Sequence, residues 1–156
     1  MLPPAVTVHG LADARRALAP GRPVTLLSAE GAGCFAGCGW WRALVGCARA
    51  QAPGIAAAAE TPDVLDCAAS PGRAVEALRA GCLWVVLAPS CPAFADVADR
   101  AAALGARVLA RRPASLDLGT LGGTLGRRRG ARDGGPRASP DLLEEWLRRD
   151  SPAAMG

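Results

Sequence analysis

The chain contains no lysine, no asparagine and no tyrosine, and it has one histidine, His9, and one isoleucine, Ile55. Without lysine there is no amine to form a Schiff base with a carbonyl substrate. There is equally no P-loop lysine to reach the phosphates of a nucleotide. No apolar run approaches the ~18 residues of a membrane-spanning helix. The N-terminus, MLPPAVTVHG, has no basic start followed by an apolar stretch, so no secretory signal is expected. Arginine supplies all 18 basic side chains. Its abundance beside Ala, Gly and Pro is the bias expected of a GC-rich genome, which weakens any argument from arginine number alone.

What is present is a chain of 156 residues, 51% hydrophobic, long enough for one cored domain and a tail. A chain this large and apolar has no need of disulfide staples, so its six cysteines are expected as free thiols in a reducing, cytoplasmic compartment. The net charge is +4. Up to Leu118 eleven arginines face nine acids, and beyond it seven arginines face five acids, so each part carries +2. The first part is close to neutral and gives no electrostatic footprint for nucleic acid, which is not expected as a partner. The run Arg127–Arg129 reads as solvated linker.

Five short apolar runs predict strands: Ala5–Val8, Val24–Leu27, Val64–Cys67, Leu83–Leu87 and Arg107–Leu109. The run LWVVL is apolar at every position, which suits a strand covered on both faces. Between the runs lie amphipathic patterns. LADARRALA groups Leu11, Ala14 and Leu18, PGRAVEALRAG turns Val75 and Leu78 inward, and PAFADVADRAAALG aligns Phe94, Val97, Ala101 and Leu104. The last two end at Gly81 and Gly105, where a helix stop is expected. Trp41, Leu44, Val45 and Ala48 give a further helix its apolar face.

This alternation predicts an α/β fold of about five mostly parallel strands with flanking helices. The favoured form is an open doubly wound sheet, and the alternative is part of a β/α barrel. The ambiguous stretch 53–62 reads mostly as loop, because an alanine run has weak strand preference. The α/β domain is expected over 1–118. Residues 119–138, rich in Gly and Arg and without periodicity, predict a disordered linker. Residues 139–156 predict a short amphipathic helix and a tail, with Ser139 as cap, Pro140 at the first position and Leu142, Leu143, Trp146 and Leu147 on one face. A lone helix of this length is marginal in water. It is expected to dock on its own domain, on a second copy or on a partner.

Parallel α/β sheets bind ligands beyond the carboxyl ends of their strands, and β/α barrels do the same. That rule selects His9 and Gly10, Ser28 to Gly33, Asp66 to Ser70, Ser90 and Cys91, and Arg111 and Arg112. The stretch SAEGAGCFAGCGWW leaves the second strand and enters a helix near residues 35–40. Its glycines, Gly31 and Gly33 among them, allow either a tight turn or the close approach of an anion. The spacing matches neither G-x-G-x-x-G nor the P-loop. Cys34 and Cys38, four apart, share a helical face, yet no second close pair completes a zinc set. No metal and no cofactor are expected, and the cysteines read as small hydrophobes. Cys91, between a strand end and a helix start, is the best-placed nucleophile. His9 at a strand end suits acid–base work. Asp66, set within the apolar VLDCA, must be paired or at a strand end, since an isolated buried carboxylate is costly. Asp63 reads as a cap on the opposite side of the sheet. Trp40 and Trp41 are about 100° apart on a helix, so one is expected inside and one at the surface.

The pattern PVTLLSAEGAGCFAGCGWWRALV, VLDCAASPGRAVEALRAG and LGARVLARRPASLDL, over about residues 20–118, resembles a family of small uncharacterised bacterial α/β proteins, with no activity to transfer. The βα units also resemble half of an aldolase-type β/α barrel, whose Schiff-base mechanism the missing lysine removes. The expected function is therefore binding, of a small anionic metabolite through Ser28, Gly31, Gly33 and Ser90 or of a protein partner through the tryptophan surface and the last helix. The alternative is a small metal-independent cytosolic lyase or hydrolase using Asp66, His9 and Cys91.

Overall fold

The computed structural model describes residues 2–53, 61–121 and 140–148. All five apolar runs become strands within a residue or two of their expected bounds. They are β1 (Ala5–Val8), β2 (Thr25–Ser28), β3 (Asp63–Asp66), β4 (Trp84–Val86) and β5 (Arg107–Leu109). A sixth strand, β6 (Ser115–Asp117), corrects the expected number of five. Its sequence, SLD, is short and has a single apolar residue, so periodicity could not reveal it. Between and after the strands lie α1 (Leu11–Leu18), α2 (Ala32–Phe35), α3 (Gly37–Ala50), α4 (Pro71–Arg79), α5 (Phe94–Ala103), α6 (Leu118–Leu121) and α7 (Pro140–Arg148).

The strands form one open, all-parallel sheet in the order β5-β4-β3-β2-β1-β6. The winding runs one way from β1 to β5 and reverses once, to place β6 beyond β1. Helices α1, α3, α4 and α5 touch one another in succession, and their apolar stripes meet Val6, Val8, Leu26, Leu65 and Val85 in the main core. Residues one step along each strand point the other way. Leu27, Val64 and Val86 form a second, smaller cluster with Leu2, Trp84 and Leu109 on the opposite face. This two-sided burial is what the uninterrupted run LWVVL implied. Gly81 and Gly105 close α4 and α5 with φ of 91° and 67°, the left-handed geometry in which glycine is favoured.

The crossing from β5 to β6 bends the sheet. Flat, its two edges would stand five strand spacings apart, about 24 Å. The register puts Leu109 about level with His9, four positions beyond Ala5, which pairs with Ser115. Six residue steps from Leu109 to Ser115 reach at most about 22 Å, too short for that diagonal. The sheet must curl toward the crossing chain, giving barrel-like curvature without closure. The segment 110–114 then lies over the face opposite the helices, and Arg112 within it reaches Thr7, Ser28 and Asp66.

The last helix docks on its own domain. Leu143 and Leu147 are buried in the main core, and the Trp146 indole donates to the Ala5 carbonyl at 2.8 Å. Leu142 stays exposed. Most of the expected linker, 122–138, and the tail, 149–156, lie outside the described residues, as do Arg127–Arg129 and most of the 53–62 loop. Among the described residues no helix is long and apolar enough to cross a membrane.

Candidate functional site

At the carboxyl end of the sheet, Asp66 closes β3 with its side chain only 2% exposed. Its charge is compensated by the Arg112 guanidinium, which donates through Nη1 to Asp66 Oδ2. The other carboxylate oxygen, Oδ1, accepts the Ala68 amide at 2.7 Å, an Asx-type turn that holds Ala68 at φ 48°. Ser28 joins β2 to this corner. Its hydroxyl accepts the Asp66 amide at 2.9 Å and donates to the Ala29 carbonyl at 3.1 Å. Arg112 Nη2 donates to the Ser28 carbonyl at 3.0 Å and approaches Thr7 Oγ1 at 3.5 Å, and Thr7 in turn shares a hydrogen with Ser115 Oγ at 2.8 Å. One arginine thus ties the ends of β1, β2 and β3 together. Its Nε–H carries no hydrogen bond among the described residues, and the side chain is 26% exposed.

His9 stands two residues after Thr7, on the same face. Its Nε2 lies 2.7 Å from Asp117 Oδ1, at the end of β6, and that oxygen also accepts the Gly119 amide at 2.8 Å. The ring lies so close over the backbone that a Cβ on Gly119 would sit 2.6 Å from Nε2. The His9 amide donates to Asp13 Oδ2 at 3.0 Å, which satisfies the backbone just before α1. Nδ1 has no partner among the described residues. Asp66 and His9, which the sequence offered as a pair, are held by different partners: Asp66 by Arg112, His9 by Asp117. Neither Asp117 nor Gly119 carried a signal in the sequence, because the strand that positions them was not legible there.

The helix expected near residues 35–40 starts at Gly37, and a short helical piece, α2, precedes it in the glycine stretch. Gly31, at φ 67°, opens α2, and Gly37, at φ 82°, joins it to α3. Gly33 is buried against the end of β3, where an added Cβ would lie 2.8 Å from Cys67 Sγ and 2.9 Å from the Asp66 carbonyl. Its glycine character is explained by helix–strand contact, whatever binds beside it. Ser90 is exposed in the turn after β4. Cys91 is buried in the main core, and α5 begins three residues later, at Phe94. Arg111 is exposed. His9, Ser28, Asp66 and Ser90 all follow strands that run in parallel, so they belong to one end of the sheet.

Other expected features resolve into structural parts. Trp41 is fully buried and Trp40 is 37% exposed, with ring centroids 6.1 Å apart. The Trp41 indole donates to Asp63 Oδ2 at 3.0 Å, and Arg49 Nη2 binds Asp63 Oδ1 at 2.7 Å, so Asp63 anchors α3 at the amino end of the sheet. All six cysteines are free thiols. Burial pushes the Cys67 thiol up to about 12 and the Cys82 thiol up to about 11. Among the described residues no three His, Cys, Asp or Glu side chains are arranged to hold a metal ion. Comparison with protein-family models, with curated proteins and with solved structures found no match for the chain.

Proposed function

We propose that the protein binds a small anionic metabolite at the carboxyl end of its curled sheet. The observation that carries this reading is the convergence on Arg112. Its guanidinium meets three strand ends, remains partly open and keeps an Nε donor that is unused among the described residues. The starts of α1, α4 and α5 follow β1, β3 and β4 at this same end, and their amide dipoles favour negative charge there. Ser28 and Gly33 pack against Asp66, Gly31 lies near Ala68, and Ser90 adds an exposed hydroxyl in the turn after β4. The six free thiols suit a reducing, cytoplasmic setting. A protein partner gains less support, because α7 spends Leu143 and Leu147 on its own domain. The test is thermal unfolding in phosphate against chloride at equal ionic strength, for the natural chain and for Arg112→Lys. Binding raises the melting temperature by mass action. The reading expects a phosphate-dependent rise that Arg112→Lys loses, since lysine keeps the charge but not the fork of donors. An equal rise in both chains contradicts it.

A second reading is hydrolase or lyase chemistry, and the His9–Asp117 pair favours it. A carboxylate on Nε2–H would leave the Nδ1 lone pair facing outward as a general base. In that reading Asp117 orients the imidazole, and Asp66 is a positioning residue through Arg112. Replacing Asp117 by Asn would lower turnover of any substrate found while leaving its binding in place.

A further inference from the structure

The thiols at the junction of α2 and β3 form a cluster that anion binding does not use. Cys34 is exposed, and its Sγ donates to the Cys67 carbonyl at 3.3 Å. One residue earlier, Gly33 presses so closely on β3 that its Cβ position falls 3.3 Å from Cys67 Cα. Adding the Cα–Cβ bond of about 1.5 Å and one Cα–Cα step of about 3.8 Å gives an upper bound of about 8.6 Å on the Cys34–Cys67 Cα separation, a limit that includes the roughly 4.4–6.8 Å that disulfides usually span. The short α2 lies between two left-handed glycines, Gly31 and Gly37, where a small rotation is absorbed most easily. Cys38 is four residues from Cys34 on the same stretch but buried at the start of α3.

We infer that Cys34 and Cys67 form a peroxide-driven disulfide that fastens α2 to the end of β3. The Cys34 thiolate attacks one oxygen of hydrogen peroxide, the O–O bond breaks, and hydroxide leaves to become water. Cys34 is then a sulfenic acid. The Cys67 sulfur attacks the Cys34 sulfur, the S–O bond breaks, and the departing hydroxide takes the Cys67 proton. Two thiols and one peroxide give one disulfide and two waters. Burial keeps Cys67 protonated and unreactive toward peroxide, so the exposed Cys34 is oxidised first and Cys67 resolves it. The new bond would lie next to Asp66. Any effect of oxidation on anion binding therefore rests on the proposed function, whereas the bond itself does not.

The full-length protein, treated with a few equivalents of hydrogen peroxide, can be read by intact mass and non-reducing peptide mapping. The inference expects the loss of two hydrogens and one cross-link between the peptides carrying Cys34 and Cys67. Cys34→Ser should abolish the cross-link and Cys38→Ser should keep it. Three results would overturn the inference. In one, the cross-link persists in Cys34→Ser. In another, Cys34 gains two or three oxygens while Cys67 stays a free thiol. In the third, Cys34 pairs with Cys38 instead. None of these outcomes depends on phosphate binding, so the inference and the functional reading fail separately.

Discussion

Replacing Arg112 by Ala removes the partner of a carboxylate that is 2% exposed. The Asp66 charge is left with the Ala68 amide as its remaining hydrogen-bond donor. The Ser28 carbonyl and Thr7 hydroxyl lose a donor as well. Breaking a buried pair from one side typically costs about 3–5 kcal/mol, since the charge left behind is neither hydrated nor paired. For a domain of this size that corresponds to a fall in melting temperature of roughly 10–20 °C. The 26% exposure of Arg112 lets some water reach the site after truncation, which places the expectation in the lower half of both ranges. The assay is urea unfolding followed by far-UV circular dichroism, with the double variant Asp66→Asn/Arg112→Met alongside. Asn keeps an oxygen for the Ala68 amide and carries no charge, so the double variant should recover more than half of the lost stability. A loss below about 1 kcal/mol in Arg112→Ala, the range of exposed pairs, would refute the view that this arginine holds the curled sheet together.

Gly33→Ala places a methyl against Cys67 Sγ and the Asp66 carbonyl, so a loss of about 1–3 kcal/mol is expected in the same unfolding assay. Gly119→Ala should push His9 off Asp117, and the His9 ring signals in the NMR spectrum should shift while the core methyl signals stay in place. Ending the chain at Leu121 removes the buried Leu143 and Leu147, each worth roughly 1.5–3 kcal/mol before ordering costs. The truncated chain should melt at a lower temperature, and an unchanged melting point would mean that α7 is not part of the core. The Cys67 thiol is raised in the folded state from 9.0 to about 12, and the folded state therefore holds this proton more tightly than the unfolded chain. Its contribution is complete below pH 9.0, and stability should fall as pH rises from there toward about 12.

The parts of the fold that bury continuous apolar surface were legible in the sequence. Runs such as VTLL and LWVVL announce strands, because a run that is apolar on successive residues suits a strand covered on both faces. Trp41, Leu44, Val45 and Ala48 announce the inner face of α3 through their spacing. Gly81 and Gly105 marked helix ends for a reason of backbone geometry, and both adopt it. The strand β6 was not legible. It lies at a sheet edge, pairs with β1 and contributes one apolar residue. Missing it meant missing Asp117 and Gly119, so His9 was read without its partner. Asp66 was legible as a buried carboxylate in need of compensation. Which arginine compensates it depends on the five-residue crossing from β5 to β6, a distance that no local pattern encodes.

The proposed function makes the carboxyl end of the sheet, around Arg112, an anion site. The most direct measurement is an amide NMR titration of the full-length protein with inorganic phosphate, with chloride at matched ionic strength as the reference. Binding predicts saturable shifts confined to the loops and helix starts that follow the strands, at Gly10, Gly31, Gly33, Gly72 and the amides flanking Arg112. Shifts spread evenly over exposed arginines, or no saturable shift at those amides, would contradict it.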